Sequence, residues 1–257
     1  MTGTPHRMLT AEREQRILQL LKSNDVMSVS SLSESLAISE ATVRRDLQSM
    51  HERGLLARVH GGAAYKSEGV IEPLFEDKEG QNAEGKQRIA AKALSLIKDN
   101  DTIFLDGGST VLKLAQQLDA RKGLTIVTNS LMAAATLMES GHRLILTGGE
   151  LRAISRTLVG PLSAAVLQEI VVDLAFMGTF GFTEEDGMST TDTNEAFTKV
   201  QAMRRAKHVI LLADNSKLGR ASFVKCACER LETLVTDSIP DNMKKELEDK
   251  GVSVIIA

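Results

Sequence analysis

Hydroxyl, amide, glycine and lysine residues recur just after short apolar runs between residues 100 and 220, a pattern suited to gripping a small polyhydroxylated anion. Asp106-Gly107-Gly108-Ser109-Thr110 follows one run, Thr128-Asn129-Ser130 closes the next, and Thr147-Gly148-Gly149 the one after. Gly178 follows a fourth run, and Asp214 with Lys217 a fifth. Where a strand turns into a helix, unsatisfied N–H groups and the positive end of the helix dipole favour an anion. Two glycines let that anion reach the backbone, and two hydroxyls add donors. The Asp106 loop has neither the Lys-Ser/Thr of a P-loop nor the third glycine of a dinucleotide fingerprint, which disfavours nucleotides. A single glycine pair more often serves tight packing. Five such ends together argue for one crevice, because strand carboxyl ends converge in an open α/β sheet. A sugar phosphate is the natural occupant.

A second constellation lies near the N-terminus. On a wheel of 100° per residue, Val43, Leu47 and Met50 share one face of a helix opened by Ser39, and the other carries Ala41, Thr42, Arg45, Gln48, Ser49 and Glu52, with Arg44 on the flank. Arginine pairs bidentately with guanine, glutamine with adenine, and threonine methyls meet thymine methyls in a major groove. The serine-capped end offers N–H groups to a phosphate. A solvated helix face would carry similar residues. The helix–helix–turn–helix order and a basic wing with Arg58 and His60 favour the DNA-reading alternative.

The elements that must position these residues follow from periodicity. A first helix starts near Thr10 with the stripe Ile17, Leu18, Leu20, Leu21; Ser28 caps a second with Val29, Leu32 and Leu36; Ser39 opens a third that ends at Gly54. Residues 55–59 read as a strand turned by Gly61-Gly62. Residues 61–83 lack periodicity and read as a linker. From residue 84 onward short β-branched strands (102–105, 124–128, 143–147, 174–177, 208–213, 233–236 and 252–256) alternate with amphipathic helices such as 86–97, 111–118 and 131–138. That alternation predicts a Rossmann-like, mainly parallel α/β domain, residues 84–257, behind a winged helix-turn-helix at residues 1–60.

Composition excludes several classes. The chain has 257 residues, 42% apolar and 25% charged, as in ordinary globular proteins. No apolar run approaches the ~20 residues of a membrane span, and the first 14 residues lack a signal-peptide core. Two cysteines, Cys226 and Cys228, form no disulfide scaffold and lack a second ligand pair, so free thiols, no metal and a cytoplasmic setting are expected. Residues 1–60 hold eight Lys/Arg against seven Asp/Glu, and the remainder 23 against 27, which directs the search for a polyanion to the N-terminus.

The run from Leu9 to Ala63, with Ser39-Glu40-Ala41-Thr42-Val43-Arg44-Arg45-Asp46-Leu47, Gly54-Leu55 and His60-Gly61-Gly62, resembles the winged helix-turn-helix of the DeoR family of bacterial transcriptional regulators. The resemblance continues through the DGGST, TNS and TGG loops, Arg152, Val159-Gly160-Pro161, Glu195 with Lys199, and ADNSKLG. It implies operator binding through Thr42, Arg44 and Arg45, and a sensor domain resembling ribose-5-phosphate isomerase that binds a phosphorylated sugar. By that likeness the DGGST loop and Lys217 hold phosphate, while Asp106, Asn129, Arg152, Glu195 and Lys199 face the sugar or organise the pocket. Val111 stands where the family commonly has a third hydroxyl, and Phe180 where it often has a small or acidic residue.

These readings predict a repressor of a carbohydrate-utilisation operon, without a cofactor, controlled by a phosphorylated sugar or polyol that favours one arrangement of a homodimer or homotetramer. About 1.4 kcal/mol of differential binding changes operator occupancy tenfold. Two heads must meet half-sites ~34 Å apart on duplex DNA. Two alternatives stand beside it. One is a sugar-phosphate isomerase with Glu195 and Lys199 as proton carriers, disfavoured because Phe180 and Phe182 stand where paired acids are expected. The other is a constitutive DNA binder whose C-terminal part only assembles the oligomer.

Overall fold

The computed structural model describes residues 10–24, 26–53, 55–59, 61–64, 72–227 and 230–257. The chain divides into two compact units, with the boundary between Pro73 and Leu74. His60 and Cys228 lie outside the described residues.

In the first unit, α1 (Thr10–Asn24), α2 (Val29–Leu36) and α3 (Glu40–Glu52) surround a closed core of Ile17, Leu21, Leu32, Val43, Leu47 and Met50. Ser28 and Ser39 cap α2 and α3 by accepting from the backbone N–H of Ser31 and Thr42. Ala37 ends α2 in the left-handed region at φ 52°. A short strand, β1 (Val26–Ser28), joins the wing strands β2 (Ala57–Val59) and β3 (Gly62–Ala64) in an antiparallel sheet of order β1-β3-β2. Gly62 faces β1 so closely that a Cβ there would lie 2.2 Å from the Met27 carbonyl oxygen. The stretch 61–83, read from the sequence as a linker, therefore begins with a paired strand. It also contains α4 (Phe75–Gly80). Both elements are too short to show periodicity, and only Phe75, 1% exposed, anchors α4 to a core.

The second unit continues with α5 (Ala83–Leu94), β4 (Thr102–Leu105), α6 (Ser109–Ala115), β5 (Thr125–Thr128), α7 (Leu131–Leu137), β6 (Arg143–Leu146), β7 (Glu150–Arg152), β8 (Thr157–Val159), α8 (Pro161–Gln168) and β9 (Val172–Met177). It ends with β10 (Gly181–Thr183), β11 (Gly187–Thr190), α9 (Thr193–Arg204), β12 (Ala206–Leu212), β13 (Val224–Lys225), β14 (Leu231–Thr236), α10 (Asp241–Asp249) and β15 (Ser253–Ile256). Seven strands form one sheet in the order β15-β14-β12-β9-β4-β5-β6, and every neighbouring pair is parallel. Side chains alternate across it. Ile103, Leu105 and Ile126 pack with Phe75, Ile89 and Val111 of α4, α5 and α6 on one face; Phe104, Val127 and Met177 pack with Leu167, Ala202 and Leu247 of α8, α9 and α10 on the other.

The order reverses between β4 and β9, the first and fourth strands of this sheet along the chain. A doubly wound sheet opens its crevice at such a switch point, beyond the carboxyl ends of the two strands. Two antiparallel additions frame that opening: the hairpin β7–β8 and the sheet β10-β11-β13.

Candidate functional site

Asp106 directly follows β4 and Gly178 directly follows β9, so the switch point brings them together. The Gly178 N–H donates to Asp106 Oδ2 at 3.1 Å, and the Lys199 ammonium, from α9, donates to the same oxygen at 2.5 Å and to the Gly178 carbonyl at 3.0 Å. Asn129, just past β5, donates its Nδ2 to Asp106 Oδ1 at 3.4 Å. Burial alone would push the Lys199 ammonium down, yet the negative charges of Asp106 and Glu195 outweigh it and hold Lys199 well above the ordinary lysine range.

Glu195 extends this network. Its carboxylate lies 3.6 Å from Lys199 Nζ and 3.3 Å from Arg152 Nη1, and it accepts from the Thr190 hydroxyl at 2.7 Å. Asp192 caps α9 by accepting from the Glu195 N–H at 2.8 Å, which fixes the first turn of that helix. Arg152 reaches in from β7 and also donates to the Thr191 hydroxyl at 2.8 Å. Asp106, Asn129, Arg152, Gly178, Glu195 and Lys199, spread over 94 positions of the sequence, thus form one connected cluster.

The glycine loop lies beside it. A Cβ on Gly107 would sit 2.1 Å from the Thr157 methyl of β8, and one on Gly178 would sit 2.4 Å from the Gly107 carbonyl oxygen, so both glycines answer to packing. Gly108 differs: its φ is +137° and nothing but the Gly178 Cα comes within 4 Å of a Cβ there. Ser109 and Thr110 are each 7% exposed, and neither hydroxyl is hydrogen-bonded among the described residues. The buried Asn129 Oδ1 likewise has no partner among the described residues.

Other sequence-predicted groups are engaged locally. Thr128 donates to the Leu105 carbonyl and accepts from the Ser130 N–H; Ser130 caps α7 by accepting from the Ala133 N–H. Gly148 and Gly149 adopt φ of +69° and +119°, and Gly149 abuts Ser163 and the Val159 carbonyl. Lys217 sits with its ammonium 5.9 Å from the centre of the Phe180 ring.

In the first unit, Ala41, Arg45 and Gln48 are exposed on α3 and Thr42 is half-buried. Arg44 pairs with Glu40 at 2.5 Å, and Gln48 donates to Glu52 at 2.8 Å. Arg45 has no side-chain partner among the described residues, and Arg58 Nη1 on β2 is buried without one. Asp46 turns the other way, accepting from Arg13 Nε and Nη2 at 2.7 and 2.9 Å, which ties α3 to α1.

Residues 13–68 match the model of the DeoR-like helix-turn-helix domain, and residues 81–238 that of the DeoR C-terminal sensor domain. The chain belongs to the DeoR family. The HTH-type transcriptional regulator GlpR of Haloferax volcanii is 39% identical over 250 residues, covering 96% of this chain and 98% of that protein. The glycerol-3-phosphate regulon repressor of Escherichia coli K12 is 33% identical over 235 residues, covering 91% and 93%. Ribose 5-phosphate isomerase A from Methanocaldococcus jannaschii superposes with a TM-score of 0.41 at 21% identity, over 54% of this chain and 55% of that one.

As a DeoR-family member the protein is a DNA-binding transcriptional regulator, and two of its features escaped a reading by residue type. Asp46 stands in the arginine-rich helix yet anchors the DeoR head internally. Lys86, 2% exposed, donates to the carbonyl oxygens of Lys78 and Gln81 at the carboxyl edge of the sensor sheet. Nothing in its residue type sets it apart at the start of an amphipathic run; only the tertiary position reveals burial. Among the described residues no helix is long and apolar enough to cross a membrane, and no three His, Cys, Asp or Glu side chains gather as metal ligands.

Proposed function

We propose that the protein represses a carbohydrate-utilisation operon in the cytoplasm and that a phosphorylated sugar or polyol, bound at the β4–β9 switch point, sets its operator affinity. The observation that carries this reading is the set of unspent polar atoms there. A buried polar group without a partner costs about 1–3 kcal/mol, so Asn129 Oδ1 is an atom that a ligand would satisfy, and the Ser109 and Thr110 hydroxyls, which make no hydrogen bond among the described residues, are free to join it. In this reading the hydroxyls and the open backbone at Gly108 meet the phosphate with Lys217. Asn129, Asp106 and Arg152 meet the ligand's hydroxyls, while Thr128, Ser130, Gly148 and Gly149 shape the crevice wall. Thr42, Arg45, Gln48 and Arg58 contact the operator; Ser39, Ala41, Arg44 and His60 complete that surface in a homodimer or homotetramer.

The cluster is poorly suited to isomerisation. A catalytic base must release and take up protons near working pH. Lys199 is locked to Asp106 and its ammonium is held above the ordinary lysine range, so it does not serve as that base.

The test uses duplex DNA selected from a random pool by the full chain. Glycerol 3-phosphate, for which the E. coli relative is named, and a panel of hexose phosphates are added to a gel-shift titration and to thermal unfolding. One probe is expected to change operator affinity at least tenfold and, at 100 times its dissociation constant, to stabilise the fold by about 2.7 kcal/mol. If every phosphorylated probe leaves both measurements unchanged, the sensor reading fails.

A further inference from the structure

Arg156 has its backbone in one part of the sensor and its side chain in another. It sits in the turn between β7 and β8 at φ +54°, in the left-handed region that non-glycine residues seldom occupy and that persists only where the surroundings hold it. Its carbonyl accepts from the Leu131 N–H at 3.0 Å, directly after the Thr128-Asn129-Ser130 loop. Its guanidinium is spent outside the hairpin. It pairs with Glu76 of α4, lies 5.6 Å from the centre of the Phe75 ring at the start of α4, and donates toward the Met132 sulfur at 3.3 Å.

The rest of the hairpin is built into the wall of the crevice. Arg152 of β7 stands opposite Thr157 of β8 in the ladder and faces Glu195 and Thr191. Asn129, whose Oδ1 is unpartnered among the described residues, accepts from the Leu158 N–H at 2.8 Å through its carbonyl. Thr157 forms an antiparallel bridge with Ser130, and its methyl presses on Gly107. The turn is braced from within: the buried Ser155 hydroxyl shares a hydrogen bond with the Thr157 hydroxyl at 2.7 Å, and the Arg156 N–H donates to the Ala153 carbonyl at 3.3 Å.

We propose that Arg156 is the residue through which the sensor reports its occupancy, by carrying a shift of the β7–β8 hairpin to α4. This rests on the sensor reading above. A ligand that draws Arg152 and the Asn129 side chain onto itself reseats the hairpin, and the guanidinium held by Glu76 and Phe75 takes α4 with it. α4 is the first helix after the Pro73–Leu74 boundary, so what reaches it is passed along the chain toward the DNA-binding unit. The Arg156–Glu76 pair is partly open to solvent, and such pairs add little to stability. That suits a signal, because the contact breaks and re-forms without unfolding the sensor. Phe75, buried in the core, supplies the firm end of the link.

The test uses the full chain, its selected operator duplex, and glycerol 3-phosphate, glucose 6-phosphate and fructose 6-phosphate as probes. Arg156→Asn removes the guanidinium with a residue that tolerates the left-handed region. It is expected to bind the active probe and the operator, each alone, within twofold of the native chain, while the probe's effect on operator affinity falls from at least tenfold to less than twofold. Glu76→Gln is expected to cut that response at least threefold, and the double variant to lose no more than Arg156→Asn alone. An Arg156→Asn protein that keeps the tenfold response overturns the proposal and leaves the sensor reading standing. So does one that loses probe affinity together with the response, since Arg156 would then build the site rather than report on it. If no probe moves the operator affinity of the native chain, the sensor reading itself fails before any variant is made, and this proposal falls with it.

Discussion

The buried pair Lys199–Asp106 behaves at the scale of single residues as a structural device with a functional address. Both side chains are within 2% of full burial, and a charge left alone there is costly. Asp106→Asn or Lys199→Met should each lower stability in urea by about 3–5 kcal/mol, and the double substitution by much less than their sum. Additive losses would show that the two charges do not interact. The folded-state value of Lys199 lies above its ordinary 10.5, so this stabilisation is complete below that pH and is lost only as pH rises through the folded value. Asp106 was legible as part of a strand-end loop, but its partnership with Glu195 and Lys199 was not, because spacing alone does not bring together residues 93 positions apart. Thr128 and Ser130 teach the converse: a hydroxyl at a strand end satisfies a cap as readily as a ligand, and the sequence does not distinguish the two.

Elements were legible where periodicity had room to repeat. All seven strands of the parallel sheet lie where β-branched runs put them, within two residues at most ends, because a strand buried on both faces is apolar throughout. The strands β1, β7, β8, β10, β11 and β13 were not, since two to four residues are too few to show an alternation. Two of these, β7 and β11, carry Arg152 and lead into Glu195, so the illegible elements complete the site. Within α3, neighbouring residues divide the labour. Arg45→Ala should leave the unfolding temperature unchanged and weaken operator binding at least tenfold, with a salt dependence reduced by about one unit of slope if the contact is to phosphate. Asp46→Ala should instead lower stability by about 1.5–3 kcal/mol by removing the two charged hydrogen bonds from Arg13. Equal operator affinity after Arg45→Ala would remove that residue from the interface.

At the scale of the whole molecule, the two units answer different solvents: one a polyanion, the other a small dianion. The proposal that they communicate predicts reciprocity. If effector lowers operator affinity by some factor, saturating operator must lower effector affinity by the same factor, because coupling free energy is shared. Calorimetric titration of glycerol 3-phosphate or another active probe, with and without operator duplex, measures it. Identical affinities would show two independent binding modules on one chain.

The placement of β9 beside β4 has a consequence for biosynthesis. Their contact joins residues 71 apart, and four further strands and three α-helices are made before that partner exists. On the ribosome the DNA-binding segment emerges whole and can mature early, whereas the central ladder waits for the middle of the chain. A nascent polypeptide arrested before residue 172 would carry a finished reading head on an open, apolar sheet edge, and such a species is prone to aggregate. Slow translation or chaperone capture across that interval would therefore govern the yield of regulated protein more than the thermodynamic stability of the finished fold.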